Sequence, residues 1–344
     1  MVTEPIHEAA LATIEAGANF RSQDALLSKM QLAYRKSFYP LGYSIEVITN
    51  EPEVLALAEE SFGHIWLMRE GTSLQVRIGV THRSGAECPP EPTRREYNHL
   101  YSLVADIENQ ALLDLSTGAN FIWITQAAAR NRLYLRCNFL EKTVYLLLGA
   151  TVVTDIHAAC VSKRGKGILL CGRSGAGKST LSYACARAGW TYVSDDTSYI
   201  INNSIIPRVI GHFHRARFRP SAKLLFPELK GFALTPRIEG KPSIEILTCQ
   251  LPVPCRSPDA TVNCIVFLNR GTGAKAGVTQ LPAGTATQRL QRELFSVGEI
   301  RSKHEEILER FWDIPTFDLQ YDRLDEGIQA LEILRSKIDT SHRV

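Results

Sequence analysis

The sequence predicts an α/β (α+β) protein: a sheet-based core with a phosphate-binding loop (P-loop) in the C-terminal half, preceded by a smaller mixed α+β domain. Three observations predict it. The stretch Gly167 to Tyr199 reads as strand, glycine-rich loop, helix and strand. Residues 40–127 change to short runs of alternating polarity separated by glycine and proline turns. A length of 344 residues suits about two domains of roughly 150 residues each.

The loop carries the clearest chemistry. Ile168-Leu169-Leu170-Cys171 leads into Gly172-Arg173-Ser174-Gly175-Ala176-Gly177-Lys178-Ser179-Thr180, and a helix-like segment, Leu181 to Ala188, follows. This is G-x-x-x-x-G-K-S between a strand and a helix, the setting in which backbone N–H groups cradle phosphate. Glycines at 172, 175 and 177 permit the backbone to turn those groups inward. Lys178 supplies a point charge for β- and γ-phosphates, the Ser179 hydroxyl suits Mg²⁺, and the helix N-terminus adds its dipole. A nucleoside triphosphate site is expected; the bland alternative is a surface turn with a chance lysine.

Composition narrows the partners. Apolar residues at 44% and charged residues at 22% are those of an ordinary globular protein. A net charge of +3 and a pI near 8.4 are too mild to argue for nucleic acid or an anionic membrane. No apolar run approaches the roughly 18 residues of a membrane span. Met1-Val2-Thr3-Glu4-Pro5-Ile6-His7-Glu8 lacks the charged start and apolar core of a signal peptide, so a cytoplasmic protein is expected. The eight cysteines (88, 137, 160, 171, 185, 249, 255 and 264) contain no C-x-x-C pair. They read as reduced thiols rather than a zinc site or disulfide framework.

Before the loop, Thr3 to Lys36 carries apolar residues at helical spacing and predicts two modest helices. Ser44–Thr49 alternates as a strand, and Asn50-Glu51-Pro52-Glu53 reads as an Asn-capped helix start running to about Phe62. Strands are expected near Ile65–Arg69, Leu74–Thr81, Leu100–Asp106, Gln110–Ser116 and Asn120–Ile124, with Arg94-Arg95-Glu96 on a solvated loop. Phe139 to Gly149 reads as an apolar helix leading into the second domain. Thr151 to Val161 reads as one strand, and the turn Ser162 to Gly167 makes it the antiparallel neighbour of the strand before the loop.

Beyond the loop, Thr191-Tyr192-Val193-Ser194 is a strand ending in Asp195-Asp196. A carboxylate pair one helix after a phosphate loop stands where Mg²⁺ and an attacking hydroxyl are handled. Two adjacent carboxylates repel and diverge, so one facing metal and the other facing nucleophile is the natural division. Arg217 and Arg219 alternate with Ala216 and Phe218, a pattern that puts both on one face of a strand, where they meet an anion or pair on the surface. His212 and His214 share a face, with no third metal ligand apparent. Val262–Leu268 reads as a buried strand, Thr285–Gln288 as a helix cap, Lys303–Trp312 as a helix, Pro315–Gln320 as a strand and Leu324–Ser336 as a closing helix.

Asp155-Ile156-His157, the loop Gly172–Ser179 and Trp190 to Asp196 together resemble the catalytic core of the HPr kinase/phosphorylase family and its related kinases, and more distantly the ATP-dependent PEP carboxykinases. The resemblance is carried by the order histidine, phosphate loop, then double aspartate one helix later. It implies a P-loop kinase core of HPr kinase/PEP carboxykinase type that uses ATP and Mg²⁺ to phosphorylate a hydroxyl, often a serine of a protein or peptide. On that resemblance Lys178 contacts the phosphates, Ser179 and Asp196 hold the metal, Asp195 accepts the hydroxyl proton, and His157 orients the acid pair; Asp195 and Asp196 could exchange roles. Two departures stand out: Thr180 follows Ser179 where the HPr enzymes carry glutamate, and no counterpart of their glutamate-bearing downstream signature is found. Neither phosphorolysis nor HPr as substrate is therefore implied.

The expected divisions are a helical segment at 1–38, a mixed antiparallel α+β domain at 39–135, the HPr-kinase-like catalytic domain at 136–338 and an unstructured tail at 339–344. Two other functions stay open: a nucleotide-binding regulatory module without turnover, and a kinase or carboxykinase of a small molecule. ATP against GTP, and homo-oligomer against monomer, are also open.

Overall fold

A computed structural model describes residues 30–341 apart from 72, 83, 84, 236–241, 274, 295 and 297. The helices expected before residue 30 lie outside the described residues. The chain forms two compact units, Met1–Leu147 and Leu148–Val344.

In the first unit the described residues form one seven-stranded sheet. Its strands are β1 (Tyr34–Phe38), β2 (Ile45–Thr49), β3 (Leu74–Thr81), β4 (Thr93–Tyr97), β5 (Leu100–Val104), β6 (Gln110–Asp114) and β7 (Ala119–Thr125), ordered β1-β2-β3-β7-β6-β5-β4. β2, β3 and β7 run parallel, and the other pairs are antiparallel. Helix α1 (Pro52–Phe62) makes the β2-to-β3 crossover and buries Val54, Leu57, Ala58 and Phe62. After β7 come α2 (Gln126–Arg130), α3 (Arg132–Leu135), one π-helical turn (Arg136–Leu140) and α4 (Glu141–Thr151).

Several expectations are corrected here. Tyr34–Phe38 is a strand, so the expected helical segment does not reach residue 38. Asn50 does not cap α1: its side-chain amide donates to the Val80 carbonyl and its oxygen accepts the Val80 N–H, both at 2.8 Å. That amide imitates a strand residue and extends the pairing at the end of β3. Residues 65–69 are irregular, and Thr93–Tyr97 is an exposed edge strand rather than a loop. An edge strand with no buried residue shows no alternation by which to read it.

The second unit is built on a ten-stranded mixed sheet among its described residues. In chain order its strands are β8 (Val153–Ile156), β9 (Ala158–Lys163), β10 (Lys166–Cys171), β11 (Thr191–Ser194), β12 (Ser198–Ile201) and β13 (Arg208–Gly211). A separate two-stranded ribbon follows, β14 (Arg215–Phe218) with β15 (Ile244–Leu247). The sheet is completed by β16 (Cys255–Arg256), β17 (Asp259–Arg270), β18 (Gly277–Gln280) and β19 (Thr316–Tyr321). The order is β16-β11-β9-β10-β17-β13-β12-β8, with β19 also on β17 and β18 on β19. β9 and β10 are antiparallel neighbours, as the tight turn requires.

The long strand β17 is the spine. Its first residues pair with β13 and its last with β19, while β10 runs parallel along it. Gly167 faces Val262 but Ile168 faces Cys264, so Asn263 is an extra residue in a bulge. Beyond the bulge the alternation changes phase. Val262, Ile265 and Phe267 pack on one face with Leu290 and Leu308; Cys264, Val266 and Leu268 pack on the other with Leu181 and Leu331. Helices α6 (Thr285–Arg292) and α7 (Gly298–Leu308) cover the first face; α5 (Lys178–Arg187) and α8 (Leu324–Ser341) cover the second. Each fully buried Leu or Ile contributes about 1.5–3 kcal/mol, which is why the apolar run Cys264–Leu268 reads clearly as a central strand.

The stretch expected as one strand through Val161 is two, because the chain leaves β8 at His157 and enters β9 elsewhere in the sheet. The α6 cap is Gly284 at φ 76°, not a threonine side chain. The helix expected at 303–312 is α7 followed by a 3-10 turn, Glu309–Phe311. The tail expected from 339 is still helical to Ser341. No helix among the described residues is long and apolar enough to cross a membrane.

Candidate active site

β10, β17 and β19 run parallel, so their C-terminal ends open on the same edge of the sheet. Ligands of open α/β sheets bind beyond such ends. The loop Gly172 to Gly177 leaves β10 there and enters α5, whose cap is Gly177 at φ 99°. A side chain at 177 would place its Cβ 2.7 Å from the hydroxyl of Tyr321, the last residue of β19. Tyr321 is fully buried and its hydroxyl donates to the Ala176 carbonyl at 3.4 Å, so it props the loop from beneath. Arg173, Ser174 and Gly175 are exposed, while Gly172, Ala176, Gly177, Ser179 and Thr180 are half-buried.

Lys178 is buried, at 4% exposure, and bends back over its own loop. Its Nζ donates to the carbonyls of Gly172 at 2.8 Å and Arg173 at 3.4 Å. Burial lowers its affinity for a proton, and the charges of Asp196 and Glu293 act against that. The ammonium is thus held at the loop and feels the Asp196 carboxylate.

The pair sits in the turn between β11 and β12. Ser194 Oγ and Ser198 Oγ lie 2.7 Å apart across that turn, and Ser198 also donates to the Ala158 carbonyl at 2.9 Å. Asp195 points inward, at 7% exposure, and its Oδ2 accepts the backbone N–H of Arg217 at 2.7 Å. Asp196 points outward, and its Oδ1 lies 3.0 Å from His157 Nε2. The two carboxyls titrate apart. Burial, then the neighbouring Asp196 charge, push Asp195 up to about 7 against the Arg217 N–H. Burial also raises Asp196, but the His157 hydrogen bond and the charges of His157, Lys178 and Arg217 outweigh it and hold the group below the usual range. One acid is thus poised to exchange a proton near neutrality while the other stays ionised.

The expected residues divide as follows. Lys178, Asp195, Asp196 and His157 are brought together, with Ser179 and Thr180 in the first turn of α5. Arg217 lies on β14, whereas Arg219 falls past its end, before the 3-10 turn Pro220–Leu224. His212 accepts or donates with the Tyr199 hydroxyl at 3.2 Å. Among the described residues there is no group of three or more His, Cys, Asp or Glu fit to hold a metal.

Three participants were not legible in the sequence. The Arg217 backbone N–H that fixes Asp195 comes from a residue 22 positions away. Glu293, just past α6, has its Oε2 3.9 Å from His157 Nδ1. Tyr321 stands under the loop. Each depends on strand order, which a single sequence does not print.

The donors suit Mg²⁺. That ion takes one or two carboxylates and a hydroxyl and otherwise relies on waters and substrate phosphates. An ionised, outward Asp196, whose charge acts on the Lys178 that precedes Ser179 in the first turn of α5, offers such a carboxylate and hydroxyl.

The second unit is therefore a mixed α/β core with a glycine-rich loop at a strand-to-helix junction and an acid pair of which Asp196 is within electrostatic reach of the loop's lysine. No family model matches the chain. Over 116 residues, 31% of its length, it is 28% identical to the HPr kinase/phosphorylase of Pelodictyon phaeoclathratiforme. The chain spans about a third (33%) of that curated relative's length. The structure of the Hpr(Ser) kinase/phosphatase from Coxiella burnetii overlays on 53% of this chain and 98% of its own, at 14% identity and a TM-score of 0.28, too low to bear on the fold. Over those 116 residues the chain is similar to an HPr kinase/phosphorylase.

Proposed function

We propose that the protein is a phosphotransferase that uses ATP and Mg²⁺ to phosphorylate a hydroxyl, a serine of a small protein or peptide. The carrying observation is the divergence of the acid pair: Asp195 buried and raised to about 7, and Asp196 held ionised with its charge acting on Lys178. The HPr kinase/phosphorylase match supports kinase chemistry at the level of the family.

In this reading the backbone of Gly172–Gly177 and Lys178 hold the phosphates, after Lys178 exchanges its loop carbonyls for phosphate oxygen. Ser179 and Asp196 hold Mg²⁺, which when bound neutralises phosphate charge. His157 fixes the Asp196 carboxylate. Asp195, with Oδ2 held by the Arg217 N–H, uses its other oxygen to take the acceptor's proton. The acceptor oxygen bonds to the γ-phosphorus as the bond to the β–γ bridging oxygen breaks, and nucleoside diphosphate leaves. We place the protein in the cytoplasm, in keeping with its free cysteines.

A regulatory module without turnover is the second reading, favoured by Lys178 already satisfying its own loop carbonyls. Labelled ATP separates the two. Wild type should pass label to a serine peptide and form ADP, and Lys178→Ala should do neither. ATP binding without ADP formation in any condition would favour the module.

A further inference from the structure

Arg217 serves the acid pair through its backbone N–H and its charge, and its side chain is itself partly exposed. On β14, Ala216 and Phe218 are buried with Tyr183 and Tyr192, so Arg215 and Arg217 occupy the opposite face. Across the ribbon Arg217 faces Glu245, which both guanidiniums share. Arg215 Nη1 lies 2.8 Å from Glu245 Oε1 and Arg217 Nε 3.5 Å from Oε2. The Arg215 side chain is 12% exposed and that of Arg217 37%, so Arg217 is the outer member. Its Cα is tethered to the proton-accepting carboxylate through the 2.7 Å hydrogen bond, and its charge acts on both Asp195 and Asp196. Exposed Arg219 follows along the chain.

We propose that Arg217 reads the acceptor, selecting a serine-bearing peptide whose flanking residues are acidic; this rests on the phosphotransferase reading. A hydroxyl delivered to Asp195 brings its chain neighbours past Arg217. Residues of an extended peptide advance about 3.3 Å each, so a carboxylate one or two positions from the serine reaches a guanidinium tethered at the base. Guanidinium pairs with carboxylate in a two-point fork that a lysine cannot reproduce. Two cations in succession, Arg217 and Arg219, suit a ligand with charges along its length.

The test uses the full chain and fluorescein-labelled ten-residue peptides with a central serine flanked by Asp and Glu, by Ala and Gly, or by Lys. Anisotropy is read with a non-hydrolysable ATP analogue and Mg²⁺, and transfer with labelled ATP. Wild type should favour acidic over uncharged flanks by about fivefold at low salt, and the preference should fade in about 0.5 M salt. Arg217→Gln should bring the ratio close to one, and Arg217→Glu should turn it toward the lysine peptide. If a variant fails to fold, the wild-type preference and its salt dependence decide alone. Equal affinity for the three peptides overturns the proposal. So does an Arg217→Gln enzyme that keeps the ratio while kcat falls on every peptide, which would put the guanidinium on the transferred phosphoryl group. Selective binding without transfer would sink the phosphotransferase reading and leave the acceptor surface standing; transfer without charge preference would do the reverse.

Discussion

His157 Nε2 lies 3.0 Å from Asp196 Oδ1 although the residues are 39 positions apart, because β8 and β12 pair with Ile156 opposite Ser198. The residues just outside that register, one past the end of β8 and two before the start of β12, are thereby delivered to each other.

The contact predicts how His157→Ala behaves. Losing the hydrogen bond releases Asp196 and lets its carboxyl rise, so the Mg²⁺ concentration for half-maximal turnover should increase about tenfold or more, as loss of a ligand's supporting partner does. A magnesium titration of ADP formation checks this. An unchanged midpoint would remove the histidine from the site.

Asp195→Asn keeps the shape and an oxygen for the Arg217 N–H but cannot take a proton. Transfer should fall about 10²- to 10⁴-fold, while affinity for a fluorescent ATP analogue stays close to wild type. Normal phosphorylation by the variant would move the base elsewhere, Asp196 being the first alternative. In the wild type, turnover should climb as pH passes about 7, where Asp195 gives up its proton.

The same carboxyl sets a stability trend. Its pKa is raised from 3.8 to about 7 in the folded state, so the native protein holds this proton more tightly than the unfolded chain. The resulting stabilisation is complete below about pH 4 and is lost as pH rises through about 7. Denaturant melts of wild type and Asp195→Asn should therefore separate at pH 8 in favour of the variant, and the gap should narrow progressively toward pH 5. A gap that widens on acidification would contradict the raised value.

Gly177→Ala faces both the left-handed backbone at φ 99° and the Tyr321 hydroxyl 2.7 Å from its new methyl. Nucleotide affinity should drop, and stability should fall by about 1–2 kcal/mol. Adding Tyr321→Phe removes the hydroxyl but not the backbone strain, so it should return only part of the loss in a thermal melt. Full recovery would show that the backbone strain is negligible.

Cysteine reactivity should follow burial. Cys88, Cys249 and Cys255 are exposed, whereas Cys160, Cys171, Cys185 and Cys264 are buried. Burial pushes the Cys171 and Cys264 thiols up to about 12 and those of Cys160 and Cys185 higher still. Brief iodoacetamide treatment with peptide mass mapping should mark the first three in the native protein and the last four only after unfolding. Rapid native labelling of Cys171 would mean that the sheet under the loop opens.

How much of this the sequence displays follows from how far apart the cooperating residues are. The loop and the acid pair are local, each within one strand end and its turn, so Lys178 and Asp195-Asp196 can be read directly. The continuous apolar run Cys264–Leu268 likewise announces a strand buried on both faces. Asn50 reads as a cap because its neighbours fit one, yet its amide is drawn to Val80, 30 positions on. Thr151 to Val161 reads as one strand because both halves are apolar, and only the sheet order reveals the break at His157. The Arg217 N–H is a main-chain donor, which no residue type advertises.

The bulge in β17 gives that strand one dispensable position. Asn263 is the residue by which the strand outruns β10, and its Oδ1 finds no hydrogen-bond partner among the described residues. Excising it alone would splice the two phases into a single uninterrupted pleat, with β13 still matched upstream and β19 still matched downstream. Shortening the strand at a residue from Ile265 to Leu268 could consume the bulge only by turning the residues between Asn263 and the cut to the opposite face, so length variation is absorbed cleanly at the bulge and at a growing cost further along.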